Sequence, residues 1–149
     1  MTVPFDKAHI SAVAEIERLC FSDPWSEKAL SESLASPHSR FLVYLEGDSV
    51  VGYIGLYALS GEGSITNVAT HPDYRRRGIG RALIEGAIAK GKTEGLEYIT
   101  LEVRESNSPA ISLYENCGFQ VMGKRRNFYS NPREDAIIMN YFFDKDNKN

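Results

Sequence analysis

From the N-terminus, the apolar positions first recur at helical spacing. Across residues 9–21 they fall at Ile10, Val13, Ile16 or Glu17, and Cys20, and after Asp23-Pro24 a second helix carries Leu30 and Leu34. The period then changes. "RFLVYLEGDSVVGYIGLYAL" is two β-branched and aromatic runs around Gly47-Asp48, a dipeptide suited to a tight hairpin turn, so the predicted sheet begins antiparallel. A strand over residues 64–70 leads to a helix over 78–93, where Ile79, Leu83 and Ala87 stand four apart with Ile84 and Ile88 alongside. After a strand at 98–103, "SNSPAISLYENCGF" predicts a short helix. Ser108 is its N-cap, Pro109 lies in its first turn, Gly118 takes the left-handed position after its end, and Ala110, Leu113, Tyr114 and Cys117 form its apolar stripe. Residues 119–122 and 136–143 read as two closing strands around a polar loop with Asn131-Pro132. Residues 144–149, "DKDNKN", read as a frayed polar tail beyond one domain at 1–143.

Composition narrows the function classes. The chain has 149 residues, 42% of them hydrophobic, which suits one domain with a sizeable core, so one site must do everything. Seventeen Lys and Arg against twenty Asp and Glu give a net charge of −3, which argues against direct nucleic-acid binding as the main task. The sequence contains no run of about 18 uncharged apolar residues. Asp6, Lys7, Glu15 and Glu17 stand where a signal peptide needs an apolar core. The expectation is a cytoplasmic monomer with no membrane partner. Cys20 and Cys117 fall in apolar helical patterns without a C-x-x-C pair or a nearby histidine, and read as buried free thiols. His9, His38 and His71 are scattered singly with no ligand spacing, so no metal is expected.

Two stretches suggest anion binding. Gly86-Ala-Ile-Ala-Lys-Gly91-Lys92-Thr93 is a literal G-x-x-x-x-G-K-S/T, but a phosphate loop works between a strand and a following helix. Here the stretch continues the helix begun at Ile79, and a strand follows Thr93, so a nucleotide triphosphatase fits poorly. Arg75-Arg76-Arg77-Gly78-Ile79-Gly80 has the right context, with a strand ending at Thr70 and a helix opening at the glycines. Its first-turn amides can donate to a pyrophosphate while the arginines add charge. A solvated arginine-rich turn is the bland alternative. A dinucleotide-binding domain fits less well, because position 83 is Leu where the fingerprint needs its third glycine.

"NVATHPDYRRRGIGRALI" resembles the acyl-CoA-binding motif Q/R-x-x-G-x-G/A of the GNAT superfamily of N-acetyltransferases, with Arg75, Gly78 and Gly80 at the defining positions. "YITLEVRESNSPAISLYENCGF" followed by "RRNFYSNPREDAIIM" resembles the ribosomal-protein-alanine N-acetyltransferase subfamily, and the likeness runs from about residue 3 to 142. The resemblance implies an α/β fold of the GNAT type. Such a fold has one twisted, mostly antiparallel sheet of six to seven strands with helices on both faces, and its two central parallel strands, here 64–70 and 98–103, splay apart. It implies acetyl-CoA as cosubstrate. Val68, Ala69 and Thr70 would pair with the pantetheine arm, and an amide near Val68 or Ala69 would polarise the thioester carbonyl. Amides of Arg76, Arg77, Gly78, Ile79, Gly80 and Arg81 would hold the pyrophosphate, and Asn107 would touch the cofactor near its pantetheine.

Amine attack on a thioester needs a neutral nitrogen and therefore a base. Ile99, Leu101 and Val103 point to one face of their strand and Glu102 to the other, so Glu102 is open either to serve as that base or to stand as a surface glutamate paired near Arg104. Its match to the subfamily's proton acceptor implies the first. Tyr114 reads from its stripe as a core aromatic, whereas the resemblance implies a hydroxyl aimed at the cofactor sulfur as proton donor. The implied acceptor is the N-terminal α-amine of small-subunit ribosomal protein eighteen, commonly an alanine. Tyr129, Glu134 and Asp135 lie in the segment resembling the substrate wall, where negative charge would attract a basic peptide; a solvated loop is the alternative. A GNAT enzyme acting on lysine or a small amine, and a cofactor-binding sensor without turnover, are the competing readings.

Overall fold

Period-2 patterning builds most of the sheet. The computed structural model describes residues 1–143; the polar tail expected at 144–149 lies outside the described residues. The chain runs β1 (Thr2–Pro4), α1 (Ile10–Cys20), α2 (Glu27–Ala35), β2 (Leu42–Glu46), β3 (Ser49–Leu59), β4 (Glu62–Thr70), α3 (Ile79–Thr93), β5 (Tyr98–Arg104), α4 (Ser108–Asn116), β6 (Gln120–Ser130) and β7 (Arg133–Phe142). The strands form one sheet in the order β1-β2-β3-β4-β5-β7-β6. Its pairs are antiparallel except for β4 with β5. This is the mixed, mostly antiparallel α/β architecture expected from the sequence, with seven strands.

Two hydrophobic cores cover the two faces. On one, Ile79, Leu83 and Ile84 of α3 and Tyr114 of α4 pack over Leu56, Ile99 and Leu101; on the other, Val13 and Ile16 of α1 and Leu30 of α2 pack over Phe41, Val43 and Tyr53. In β5 the residues Ile99, Leu101 and Val103 are buried on the α3 side, so Thr100 and Glu102 look toward α1 and α2, as the alternation requires.

The sheet opens at its centre. β4 pairs with β5 only through Glu62–Tyr98, Gly63–Ile99 and Ser64–Thr100. Beyond that point β4 follows β3 through Ile54–Val68, Tyr53–Ala69 and Gly52–Thr70, and β5 follows β7 as far as Arg104–Ala136. A register shift places Thr66 and Asn67 of β4 across from the single residue Gly55, and such a bulge bends and twists the strand that carries it. Glycine is required opposite: a Cβ on Gly55 would lie 2.3 Å from Thr66 Oγ1 and 2.9 Å from Phe41 Cζ. The amides of residues 66–70 that face β5 therefore have no strand to pair with.

Several details correct the sequence reading. Asn107, not Ser108, caps α4: its Oδ1 accepts from Ala110 N–H at 3.3 Å. The first closing strand is much longer than 119–122, the second starts three residues before 136, and the polar loop between them shrinks to a turn at Asn131-Pro132. β6 was hard to see because it is an edge strand exposed on both sides, so nothing imposes alternation on it. Cys20 and Cys117 are free thiols but only half-buried. Gly91 is buried within α3 against Phe143, and Gly95 carries the left-handed turn after the helix.

Candidate active site

The site grows from the gap between β4 and β5 and from the start of α3. Gly78 sits at the N-cap of α3 with φ of 78°, a left-handed conformation that costs an L side chain strain, and no side chain caps the helix. The first helical bond runs from Ala82 N–H to Gly78 C=O at 3.0 Å, which leaves the amides of Gly78, Ile79, Gly80 and Arg81 without an acceptor in the helix. A Cβ on Gly78 would meet nothing within 4 Å, so the space over these donors is open. Ile79 buries its side chain against the sheet and can offer an anion only its amide. Arg75, Arg76 and Arg77 are exposed around the turn; Arg76 itself has φ of 65°, and the Arg77 guanidinium lies 5.0 Å over the Tyr74 ring. The helix dipole, free donors and arginines make this an anion cradle. By contrast, Gly86 through Thr93 lie inside α3, where their amides are committed to the helix, so the phosphate-loop match has no cradle.

Val68, Ala69 and Thr70 form the last part of β4 beside the gap. Ala69 is buried toward α1, and the Thr70 carbonyl accepts from the Cys20 thiol at 3.4 Å. The same sulfur accepts from Arg75 Nη2 at 3.5 Å, which links α1 to the cradle.

Across the gap stand Glu102, Tyr114 and Tyr129. Glu102 is about one-third exposed and its Oε1 lies 3.6 Å from Arg125 Nη1. The cation that meets it comes from β6, not from beside Arg104. Tyr114 is buried on α4, which pushes its hydroxyl pKa up to about 12, with smaller contributions from Tyr129 and Cys117. Tyr129, half-buried on β6, is raised by burial first and then by the Glu102 charge, against the lowering effect of Arg104, whose guanidinium covers its ring at 4.3 Å. One phenol therefore senses both the Glu102 carboxylate and the Tyr114 hydroxyl. Tyr129 of β6 thus stands between Glu102 of β5 and Tyr114 of α4 in their electrostatic influence.

Glu134 and Asp135 have a different occupation from the one expected. Glu134 accepts from Ser106 N–H at 2.6 Å and pairs with Arg104 Nη1 at 3.2 Å, contacts that hold its carboxyl below the usual range. Asp135 accepts from Asn127 N–H at 2.8 Å. Both carboxylates help to shape the β6–β7 hairpin and the β5–α4 connection, and the charge of Glu134 is answered by Arg104. Asn107 spends its Oδ1 on the α4 cap and keeps its side-chain nitrogen free.

Two polar residues of this region escaped the sequence reading. Glu17 has no exposed surface at all, and Asn67, in the β4 bulge, donates to it at 3.2 Å. The signal was an acid at a position where the apolar stripe of α1 should continue. Among the described residues no group of three or more His, Cys, Asp or Glu is arranged to hold a metal ion, and no helix is long and apolar enough to cross a membrane.

Comparison with known proteins gives a consistent neighbourhood. The model of the Acetyltransferase (GNAT) family matches residues 10–119. A ribosomal protein bS18-alanine N-acetyltransferase of Escherichia coli strain K12 is 39% identical over 132 residues, covering 87% of this chain and 88% of that protein. The N-alpha-acetyltransferase RimI of Mycobacterium tuberculosis is 36% identical over 141 residues, covering 89% and 86%. The crystal structure of the ribosomal-protein-S18-alanine N-acetyltransferase from Escherichia coli superimposes with a TM-score of 0.89 at 33% identity, over 95% of this chain and 92% of that one.

Proposed function

This chain belongs to the acetyltransferase (GNAT) family, and from that premise we propose that it moves acetyl from acetyl-CoA to the N-terminal α-amine of a protein, foremost the N-terminal alanine of ribosomal protein bS18. It does so as a cytoplasmic monomer that makes no direct contact with nucleic acid. The observation that carries the reading is the opening of β4 away from β5 beside the uncapped start of α3. Names of relatives support the substrate; Glu102 as base, Tyr114 as hydroxyl and the start of α3 as anion cradle are the roles proposed around that opening.

The residues fit the cosubstrate. Free amides at Gly78 to Arg81, with Arg75 to Arg77 around them, suit a pyrophosphate. The unpaired edge of β4 from Val68 to Thr70 suits the amide-rich pantetheine arm, and a β4 amide would donate to the thioester oxygen. Glu102 takes the proton of the acceptor ammonium, directly or through one water, and Tyr114 donates a hydrogen bond to sulfur as charge gathers there. Bound acetyl-CoA supplies the activated acyl group. An α-amine has a pKa about 2.5 units below lysine's, so removing its proton costs about 3.5 kcal/mol less, and an ordinary carboxylate suffices.

The test is a pair of peptides. One copies the start of bS18 with alanine first; the other has the same sequence, a blocked N-terminus and a free internal lysine. The free α-amine peptide is expected to be acetylated at least tenfold faster by initial rate. Equal rates would defeat the N-terminal assignment and favour an amine of another kind.

The cradle has its own test. Gly78→Val places a β-branched residue at φ of 78° and a side chain over the free amides, so the acetyl-CoA KM should rise about tenfold or more, the equivalent of roughly 1.4 kcal/mol. Lys92→Ala, three turns down the helix, should leave it unchanged. A loss of activity with Lys92→Ala and none with Gly78→Val would return the argument to the phosphate-loop match.

A further inference from the structure

Glu17 is an anomaly of α1. It lies among Val13, Ala14 and Ile16, fully buried, without a Lys, Arg or His in ion-pair distance among the described residues. Its Oε1 accepts from the backbone N–H of Trp25 at 2.8 Å, and its Oε2 accepts from the Tyr53 hydroxyl at 2.5 Å and from Asn67 Nδ2 at 3.2 Å. The other titratable groups near this carboxylate are the phenol of Tyr53 on β3 and the thiol of Cys20 on α1 itself. A buried acid in a helical core stripe is an expensive choice, since its charged form has to be taken out of water.

What the three donors have in common is location. Trp25 belongs to the connection between α1 and α2, which with Tyr57 lines a groove of about 600 Å³ over the sheet. Tyr57 carries that groove on to a recess reaching Ser64, whose partner Thr100 lies two residues before Glu102 on the same face of β5. Asn67 is the bulge residue that turns β4 away from β5, next to Val68. Tyr53 pairs with Ala69 in the part of β3 that holds this end of β4. One carboxylate is therefore hydrogen-bonded both to a wall of the groove between α2 and Tyr57 and to the strand beside which the thioester would lie.

We propose that Glu17 is a positioning residue for the acceptor: it fixes the α1–α2 connection relative to the β4 bulge, and so sets the gap across which the amine meets the acetyl group. The proposal rests on the acetyltransferase reading above. Two oxygens of one rigid group hold two chain segments at a distance that an apolar side chain, which makes no directional bond, cannot specify. Burial also raises the Glu17 pKa. Its proton is then held more tightly in the folded chain than in the unfolded one, so the stability it contributes is fully present below the ordinary carboxylate pKa near 4.5 and is lost as the pH rises through the folded value.

The experiment compares the whole enzyme with Glu17→Leu and Glu17→Gln, measuring thermal midpoints and separate KM values for peptide and acetyl-CoA. Glu17→Leu removes the bonds and leaves the Trp25 amide, the Tyr53 hydroxyl and Asn67 Nδ2 without their acceptor, so it should melt below the wild-type temperature, with the peptide KM raised about tenfold and the acetyl-CoA KM within twofold. Glu17→Gln keeps an acceptor for Trp25 but turns a donor toward Asn67, and should give an intermediate peptide KM. It should also lose the decline in stability above pH 4.5. If Glu17→Leu folds with wild-type kinetic constants, Glu17 positions nothing. If Glu17→Leu fails to fold, Glu17→Gln and Tyr53→Phe decide: unchanged peptide KM in both overturns the proposal. Each ratio is taken on whichever amine the wild-type enzyme acetylates. A wild type that prefers lysine would thus sink the N-terminal assignment and leave the role of Glu17 to be read from its own ratio.

Discussion

Glu102→Gln should lower kcat by at least about 10²-fold at neutral pH, the scale of a lost general base, while the acetyl-CoA KM stays within about twofold. The substitution keeps the size of the side chain and a hydrogen-bonding oxygen, and removes only the capacity to take a proton. Glu102 is one-third exposed at the mouth of the β4–β5 gap, on the sheet face opposite α3 and α4, so its loss removes little core packing. The pH profile gives a sharper reading than the single rate. An α-amine has a pKa near 8, so above that pH most of the acceptor is already neutral and the missing base matters less. The ratio of wild-type to Glu102→Gln rates should therefore narrow between about pH 7 and 9.5. A ratio constant over that range would mean that Glu102 acts through shape or charge. Arg125→Ala separates the remaining possibility: if the 3.6 Å pair with Arg125 is the whole purpose of Glu102, the two substitutions should reduce the rate equally.

The elements with one wet and one dry side were visible in the sequence, because burial on one side writes a period into the residues. That is why α3 and β5 are legible close to their true limits and why Glu102 falls on the face of β5 away from α3, whereas the β2–β3 hairpin is legible from its β-branched and aromatic runs around Gly47-Asp48, since β3 is buried on both sides from Val51 to Leu56. The Gly78 turn was visible for another reason: a left-handed residue ahead of a helix leaves few choices but glycine. Most of β6 and the first three residues of β7 are not legible, because β6 is an edge strand open to solvent on both sides and carries no such period, and β7 begins in the polar turn that joins them. The network around Glu17 was out of reach, since residues 17, 25, 53 and 67 meet only after α1 has been laid on the sheet. Glu134 and Asp135 show what a run of charge leaves out: the sequence suggests attraction for a peptide, and the fold gives the Glu134 oxygens to Arg104 and Ser106 and one Asp135 oxygen to Asn127 N–H.

Tyr114→Phe should cost roughly 10- to 10²-fold in kcat, less than Glu102→Gln, and the reason lies in its burial. The buried hydroxyl has its pKa pushed up to about 12, whereas a thiol such as that of the departing cofactor is near 8.5. Full transfer of the phenol's proton to a free thiolate would run about 3.5 units, or roughly 5 kcal/mol, uphill. A hydrogen bond has no such barrier: the hydroxyl remains protonated at every working pH and donates to sulfur as negative charge gathers. Hydrogen bonds to charged groups contribute about 1.5–3 kcal/mol, which sets the size of the expected loss. The ring packs against Phe119 at 5.8 Å between centroids, and phenylalanine keeps that contact, so the thermal midpoint should move little. The rate should also show no falling limb from Tyr114 below about pH 11, because its proton is not lost there. A Tyr114→Phe enzyme with undiminished kcat would make Tyr114 a core aromatic alone. A drop well beyond 10²-fold, with a falling limb near pH 9 in the wild type that the substitution abolishes, would instead mean that the hydroxyl ionises during turnover and that its environment changes when the cosubstrate is bound.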